Sequence, residues 1–345
     1  MSRKLKLVTL AIAVLIVAIV AAGAAARGSG SARVDSKIRI GLVLPDLSNP
    51  YIAGLRDGVQ AEARKSGDTV LVKGTSDATG QANATMNYVA AKVDAIIIDA
   101  IDGKGIIPAI KAANAAKIPV ITIQSDVYGG VRAAFIAGRE DHAGLYMGLA
   151  AADWCTGIDP CKVGVVEGIK ADQSGATEDK AFRALVAQFP NMKIVGGAET
   201  QYDPAKALNV ATNLLTANPD LKFLYAWWDP GGNAAVKAIQ AKGKTGQVGV
   251  ASQNGDCIAL GNVLAGRQTQ TSAFFPSVIG SIAVQTAHNI KDGKPVKKFV
   301  EAPVLSVDKA RGKAWLAGLA QPPAIVKADI LKRLRTAASG KCPVQ

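Results

Sequence analysis

Trp227 and Trp228 stand side by side and run directly into Asp229-Pro230-Gly231-Gly232. A packed core rarely accommodates adjacent indoles, so the pair suggests a binding surface. Tyr51 follows Asn49-Pro50, and Tyr202 precedes Asp203-Pro204. Residues for covalent chemistry are scarce. Gly243-Lys244-Thr245 could end a phosphate-binding loop, but the glycine required five residues earlier is Ala238. No G-x-S-x-G elbow occurs, and His142 and His288 are the two histidines. Asp99 and Asp229 could act as a glycosidase carboxylate pair if they faced each other, which keeps an enzyme as a remote alternative. No catalytic residue, cofactor or metal is expected. Zinc in particular is not indicated, because no paired C-x-x-C occurs.

The elements that must position these residues recur in a pattern. Continuous Val- and Ile-rich runs at 38–44, 69–73, 94–99 and 118–123 alternate with helical stretches. The pattern restarts with runs at 161–168, 192–199, 222–227 and 247–252. Such runs read as strands buried on both faces, with helical crossovers between parallel neighbours. The fold class is therefore α/β, with two doubly wound parallel-sheet lobes. Asn49-Pro50 and Asp203-Pro204 each offer a capping side chain and a proline at the first helical position. Both helices begin where a strand ends, at the edge where open α/β sheets bind ligands. Tyr51, Tyr202, Trp227 and Trp228 belong to that edge. Successive strand side chains alternate in direction, so Trp227 is expected inward and Trp228 towards a cleft.

The chain of 345 residues is long enough for two cores. Its first segment reads differently. Arg3, Lys4 and Lys6 precede an apolar run from residue 7 to 26, whose small-residue end suits a signal peptidase. A cleavable signal peptide at 1–26 and a flexible leader at 27–37 are expected. An uncleaved anchor is the alternative, since the run could span a bilayer. Four cysteines fit an oxidising compartment. Cys155 with Cys161, and Cys257 with Cys342, would make two disulfides, the second pinning the tail; four free thiols are the other reading. The formal charge of +13 raises nucleic acid as a partner. The lysines are spread along helices and no nucleic-acid motif occurs, so a solvated cationic exported protein is the reading taken.

Several segments carry a resemblance. They are "LVLPDLSNPYIAGLRDGVQAEA", "VDAIIIDAIDGKGIIPAIKAANAAKIPVITI" and "FFPSVIGSIAVQTAHNIKDGKPV", with "YDPAKALNVATNLLTANPDLKFLYAWWDPGGNAAVKAIQAKGK" the most specific. Together they resemble the type 1 periplasmic sugar-binding proteins of ABC transporters, the ribose-binding group, from about residue 38 to 306. The resemblance implies two lobes joined by a three-segment hinge. The N-terminal lobe would comprise 38–138 and 276–304, the C-terminal lobe 139–275 and 305–309. A C-terminal extension at 310–345 would carry an amphipathic helix.

The resemblance also implies a ligand site. The family's Asn-Pro-aromatic-aromatic falls on Asn49, Pro50, Tyr51 and Ile52, losing the second ring, and the polar residue before it falls on Pro45. The acid or amide ending the third strand falls on Asp99. An Asp-Arg pair falls on Gln124 and Ser125, and a further arginine falls near Ala176, so both arginines are absent. An aromatic falls on Tyr202 and an Asn-Asp pair on Trp228 and Asp229. A Phe-Asp pair falls on Ser252 and Gln253, or one later on Asn254, and a hinge glutamine falls on Phe274. Tyr51, Tyr202, Trp228 and Phe274 could stack on a ring. Asp99, Gln124, Asp229, Gln253 and Asn254 could pair with hydroxyls.

The function expected is that of an extracytoplasmic, periplasmic solute-binding protein of an ABC importer. It would be a monomer that closes on a sugar, polyol or small heterocycle and docks on a membrane permease. A ligand sensor feeding a chemoreceptor or kinase would use the same closure and is the alternative.

Overall fold

The computed structural model describes residues 37–343. The expected signal peptide and most of the leader, residues 1–36, lie outside the described residues. No helix among the described residues is long and apolar enough to cross a membrane.

Twelve strands form two six-stranded sheets among the described residues. The first contains β1 (Arg39–Leu44), β2 (Thr69–Gly74), β3 (Ala95–Ile98), β4 (Val120–Ile123), β5 (Ala134–Ala137) and β11 (Phe299–Glu301). Its order is β2-β1-β3-β4-β5-β11, parallel throughout. Ile40 pairs with Val70 on one side and Ala95 on the other, setting β1 inside the sheet next to the edge strand β2. The second sheet contains β6 (Cys161–Glu167), β7 (Met192–Glu199), β8 (Leu221–Ala226), β9 (Gly249–Asn254), β10 (Gln270–Phe274) and β12 (Val304–Asp308). Its order is β7-β6-β8-β9-β10-β12, parallel except for the β10–β12 pair. The sequence runs thus become strands, and four further short strands join them. β5 and β10 are illegible because "AFIA" and "QTSAF" lack the continuous Val and Ile that mark the other runs.

Helices cover both faces of each sheet. α1 (Pro50–Ser66), α2 (Ala78–Ala90) and α3 (Ile107–Ala115) link the first strands. α4 (Glu140–Trp154), α5 (Gln173–Val186), α6 (Pro204–Ala217), α7 (Asp229–Ala241) and α8 (Cys257–Ala265) serve the second sheet. α9 (Pro276–Lys291) returns to the first sheet and packs on α1. Gly58 makes that packing possible, because a Cβ there would lie 2.3 Å from the Ser277 carbonyl oxygen. Side chains such as Ile96, Ile97 and Ile98 are wholly buried. Each contributes roughly 1.5–3 kcal/mol relative to exposure.

The chain passes between the sheets three times: from β5 to α4, from β10 to α9, and from β11 to β12. The expectation of two parallel-sheet lobes with a three-segment connection is met. The tail forms α10 (Lys309–Leu316) and α11 (Ala324–Ala338). Val326, Ile330 and Leu334 of α11 pack with Leu260, Phe275, Val307 and Trp315, adding a layer to the second lobe. Cys155 is bonded to Cys161, and Cys257 to Cys342.

Candidate functional site

Both sheets turn their carboxyl edges towards one cavity of about 270 Å³. Its wall is built from segments that follow β1, β2, β3 and β4 on one side and, on the other, from segments that follow β6, β7 and β8 and the last two residues of β9. The first and second sheets both reverse strand order at their first strand, β1 and β6. Crevices at such switch points are where open α/β sheets take ligands.

On the first-lobe side, Asn49 caps α1. Its side-chain oxygen accepts from the Tyr51 amide at 2.9 Å, with Pro50 at the helix start. That turn sets the Tyr51 ring into the cavity wall. The Tyr51 hydroxyl donates to Gln124 Oε1, and Gln124 Nε2 donates to Glu140 Oε1 at 2.7 Å. The Asp99 loop is held by Gln81, whose amide donates to the Asp99 carbonyl at 2.7 Å and accepts from the Ile101 amide at 2.8 Å. Asp99 Oδ1 in turn accepts from the Ser125 amide at 3.3 Å.

On the second-lobe side, Asp172 is the hub. It caps α5, accepting from the amides of Ser174 at 3.0 Å and Gly175 at 3.3 Å. The Tyr202 hydroxyl donates to it at 2.5 Å, and the Ser174 hydroxyl at 3.3 Å. Ser125, across the cavity, donates its hydroxyl to Asp172 Oδ1 at 2.6 Å. The amide of Asp126 also reaches Gln173 Oε1 at 3.2 Å, so the lobes are joined by hydrogen bonds at this rim. Trp228 lies edge-on to Tyr202, with centroids 5.2 Å apart and an interplanar angle of 89°. Gly175 leaves room for the rings. A Cβ there would sit 2.5 Å from Trp227 Cε3 and 2.8 Å from the Tyr202 hydroxyl.

Four wall residues, Gln124, Gln201, Tyr202 and Asn254, have positive φ values of 59°, 60°, 55° and 125°. Non-glycine residues pay strain in that region, and such strain concentrates at functional sites.

Carboxyl groups crowd the cavity floor. Asp99 is 3% exposed; burial first, then the nearby Asp172, pushes its carboxyl well above the ordinary range. Burial and Asp172 also raise Glu140 to about 8. Burial raises Glu178, with Glu140 adding to it, although the Tyr225 hydroxyl donates to its Oε1 at 2.6 Å. The Tyr51 and Tyr202 hydroxyls are pushed up by burial and by the same acids.

Of the residues singled out in the sequence, Asn49, Tyr51, Asp99, Gln124, Ser125, Tyr202, Trp228, Gln253 and Asn254 line this cavity. Asp229 and Phe274 do not. Asp229 is wholly buried behind the wall. Its carboxylate accepts from Ser252 Oγ at 2.5 Å, Thr271 Oγ1 at 2.8 Å and the Asp256 amide at 2.6 Å. It joins β9, β10 and the start of α8, so Asp99 and Asp229 do not form a carboxylate pair in the cavity. Phe274 is wholly buried at the second crossing, 6.5 Å from Tyr51 ring to ring and packed on Gly138. Trp227 was expected inward, away from the cleft, yet it lines the cavity with Trp228. Both indoles lie beyond the end of β8, where strand alternation no longer governs direction, and Trp227 Nε1 donates to Asp179 Oδ1 at 3.3 Å.

Asp172, Ser174 and Glu140 were missed. "KADQSG" did carry a signal, an aspartate placed to cap a helix after a strand. Glu140 carried none, because its proximity to Gln124 depends on the first crossing between lobes.

A family model described as a periplasmic binding protein domain matches residues 40–295. The chain belongs to that family. The ribose import binding protein RbsB of Bacillus subtilis is 28% identical over 266 residues, covering 77% of this chain and 85% of the relative. A solved ABC transporter solute-binding protein from Mycobacterium smegmatis, with bound glycerol, is 29% identical. Its TM-score is 0.77, and the match covers 81% of this chain and 97% of that one. A periplasmic solute-binding protein from Actinobacillus succinogenes, with bound D-allose, is 27% identical with a TM-score of 0.73, covering 80% and 99%. The resemblance to sugar-binding proteins of ABC transporters is therefore met, and an extracytoplasmic location follows from the family.

Proposed function

We propose that the cavity between the two sheets takes a polyhydroxylated molecule of monosaccharide size or smaller, which the protein delivers to an ABC permease. The observation that carries this is the wall itself. Rings of Tyr51, Tyr202, Trp227 and Trp228 and polar groups of Asp99, Gln253 and Asn254 come from both sheets around one small hollow. Flat rings suit the C–H faces of a sugar, and carboxylates and amides suit its hydroxyls. The volume lies at the small end of ligand pockets. The relatives named for ribose import or solved with glycerol and D-allose support the same ligand class.

Binding closes the lobes at the Ser125–Asp172 rim, and the closed form docks on the permease. The protein acts as an exported monomer without catalytic activity, released by cleavage near residue 26. About ten ligand heavy atoms can supply roughly −8 kcal/mol, a micromolar affinity. A thermal-shift screen of sugars and polyols, followed by calorimetry on the best compound, tests the reading. One compound should raise the melting point and bind one per chain. No shift with any member of the panel would overturn it.

A further inference from the structure

The cavity wall contains acids and no bases. Asp46, Asp99 and Asp172 line it, without a lysine, arginine or histidine. Glu140 and Glu178 add buried carboxyls behind it. Arg333 reaches that region from the tail, but its guanidinium is committed elsewhere. It donates to the carbonyls of Phe274 at 2.9 Å and Gly255 at 3.3 Å, pairs with Asp329 and lies over Phe275. Where the ribose-binding resemblance puts arginines, this chain has Ser125 and, near the second position, Ala176.

The hydrogen bonds around the acids bear on the same point. The hydroxyls of Ser125 and Tyr202 are donated to Asp172, and that of Tyr51 to Gln124. Both ends of the Gln124 amide are engaged, by Tyr51 and by Glu140. Asn49 and Asn254 keep Nδ2 donors in the wall, their oxygens being taken by backbone amides, while the buried acid and amide groups offer acceptors. Asp99 takes one backbone amide, from Ser125. Gln253, 4% exposed and in the wall, has an Oε1 that accepts from no described residue. A ligand that engages Asp99 and Gln253 Oε1 must therefore bring donors. A hydroxyl brings one, whereas an ammonium brings three and a positive charge that draws Asp99, raised by burial and by Asp172, back towards its ionised form. Trp227, Trp228 and Tyr202 supply the electron-rich faces that attract a cation.

We infer that the cavity selects a protonated amine carried on a hydroxylated frame, an amino sugar or amino polyol, with its ammonium set against Asp99 and ringed by the aromatic side chains. The inference rests on the binding role proposed above and narrows its ligand class.

The test is calorimetry at pH 7 with matched pairs: D-glucosamine against D-glucose, 2-amino-1,3-propanediol against glycerol, and the best neutral compound of the screen against its amino-deoxy counterpart. The amine should bind at least about tenfold tighter in the pair that fits, since a charge-assisted bond is roughly twice as strong as a neutral one. Asp99→Asn should bring the two members within about twofold of each other, the charge at that position being gone. If this variant does not fold, the wild-type pairs decide alone. A neutral member that binds as tightly as its amine, or more tightly, overturns the inference and leaves the proposed function standing. No binding by any compound, neutral or charged, overturns both.

Discussion

Ser125 offers a clean perturbation of closure. Its hydroxyl donates across the cavity to Asp172 at 2.6 Å, while its backbone amide holds Asp99. Ser125→Ala removes the first contact and leaves the second. A hydrogen bond to a charged group contributes about 1.5–3 kcal/mol net. Asp172 retains the amides of Ser174 and Gly175 and the Tyr202 hydroxyl, so no charge is left unpaired. The cost should therefore fall at the low end, about 1.5 kcal/mol, close to a tenfold change in the closed population. Affinity depends on that population, so calorimetry on the screen's best compound should give a dissociation constant up to about tenfold weaker. Small-angle scattering should show that the liganded variant stays more open than the wild type. The melting point of the ligand-free protein should change little, since the contact joins lobes rather than stabilising either core. An affinity within twofold of wild type would refute the argument that this bond carries closure.

Further outcomes follow from particular residues. Glu140 and Asp229 are raised to about 8 from 4.5 and 3.8. The folded state thus holds protons that the unfolded state releases. Their contribution is full below about pH 4 and is lost as pH rises through 8. The ligand-free protein should melt higher at pH 5 than at pH 8, and Glu140→Gln should flatten that slope; an unchanged slope would count against the burial of this carboxyl. Gly175→Ala would press a methyl group into Trp227 and Tyr202. It should cost about 1–3 kcal/mol by overpacking, weaken ligand binding and shift tryptophan fluorescence, and a wild-type spectrum with unchanged stability would contradict the packing. Cys342→Ser opens a link spanning 85 residues. Chain entropy sets the loss at roughly 4.5 kcal/mol, to be read by denaturant unfolding. Proteolysis should then nick α11 first, and a tail as resistant as before would show that its apolar contacts suffice.

Much of the frame was legible in the chain. Runs such as "DAIIID" and "IPVITI" cannot sit half-exposed, so they declared a parallel sheet covered on both faces. Asn49-Pro50 and Asp203-Pro204 fixed two helix starts, and both caps accept the backbone amides that their type demands. These are local effects, decided by hydrophobic burial and by unsatisfied N–H groups within a few residues.

The site was legible only in outline. Tyr51, Tyr202 and Trp228 could be placed at a sheet edge because each adjoins a strand end or a helix start. Asp229 could not be told from a ligand contact, since its partners Ser252, Thr271 and Asp256 lie 23, 42 and 27 residues away. Glu140 meets Gln124 only because the chain changes lobes between them, and Asp172 meets Ser125 only when two separately folded edges approach. Short-range chemistry wrote the strands, caps and rings into the sequence. Which acid faces the cavity and which braces the wall behind it was decided by tertiary contacts, because burial and hydrogen-bond partners belong to the assembled sheets rather than to any segment.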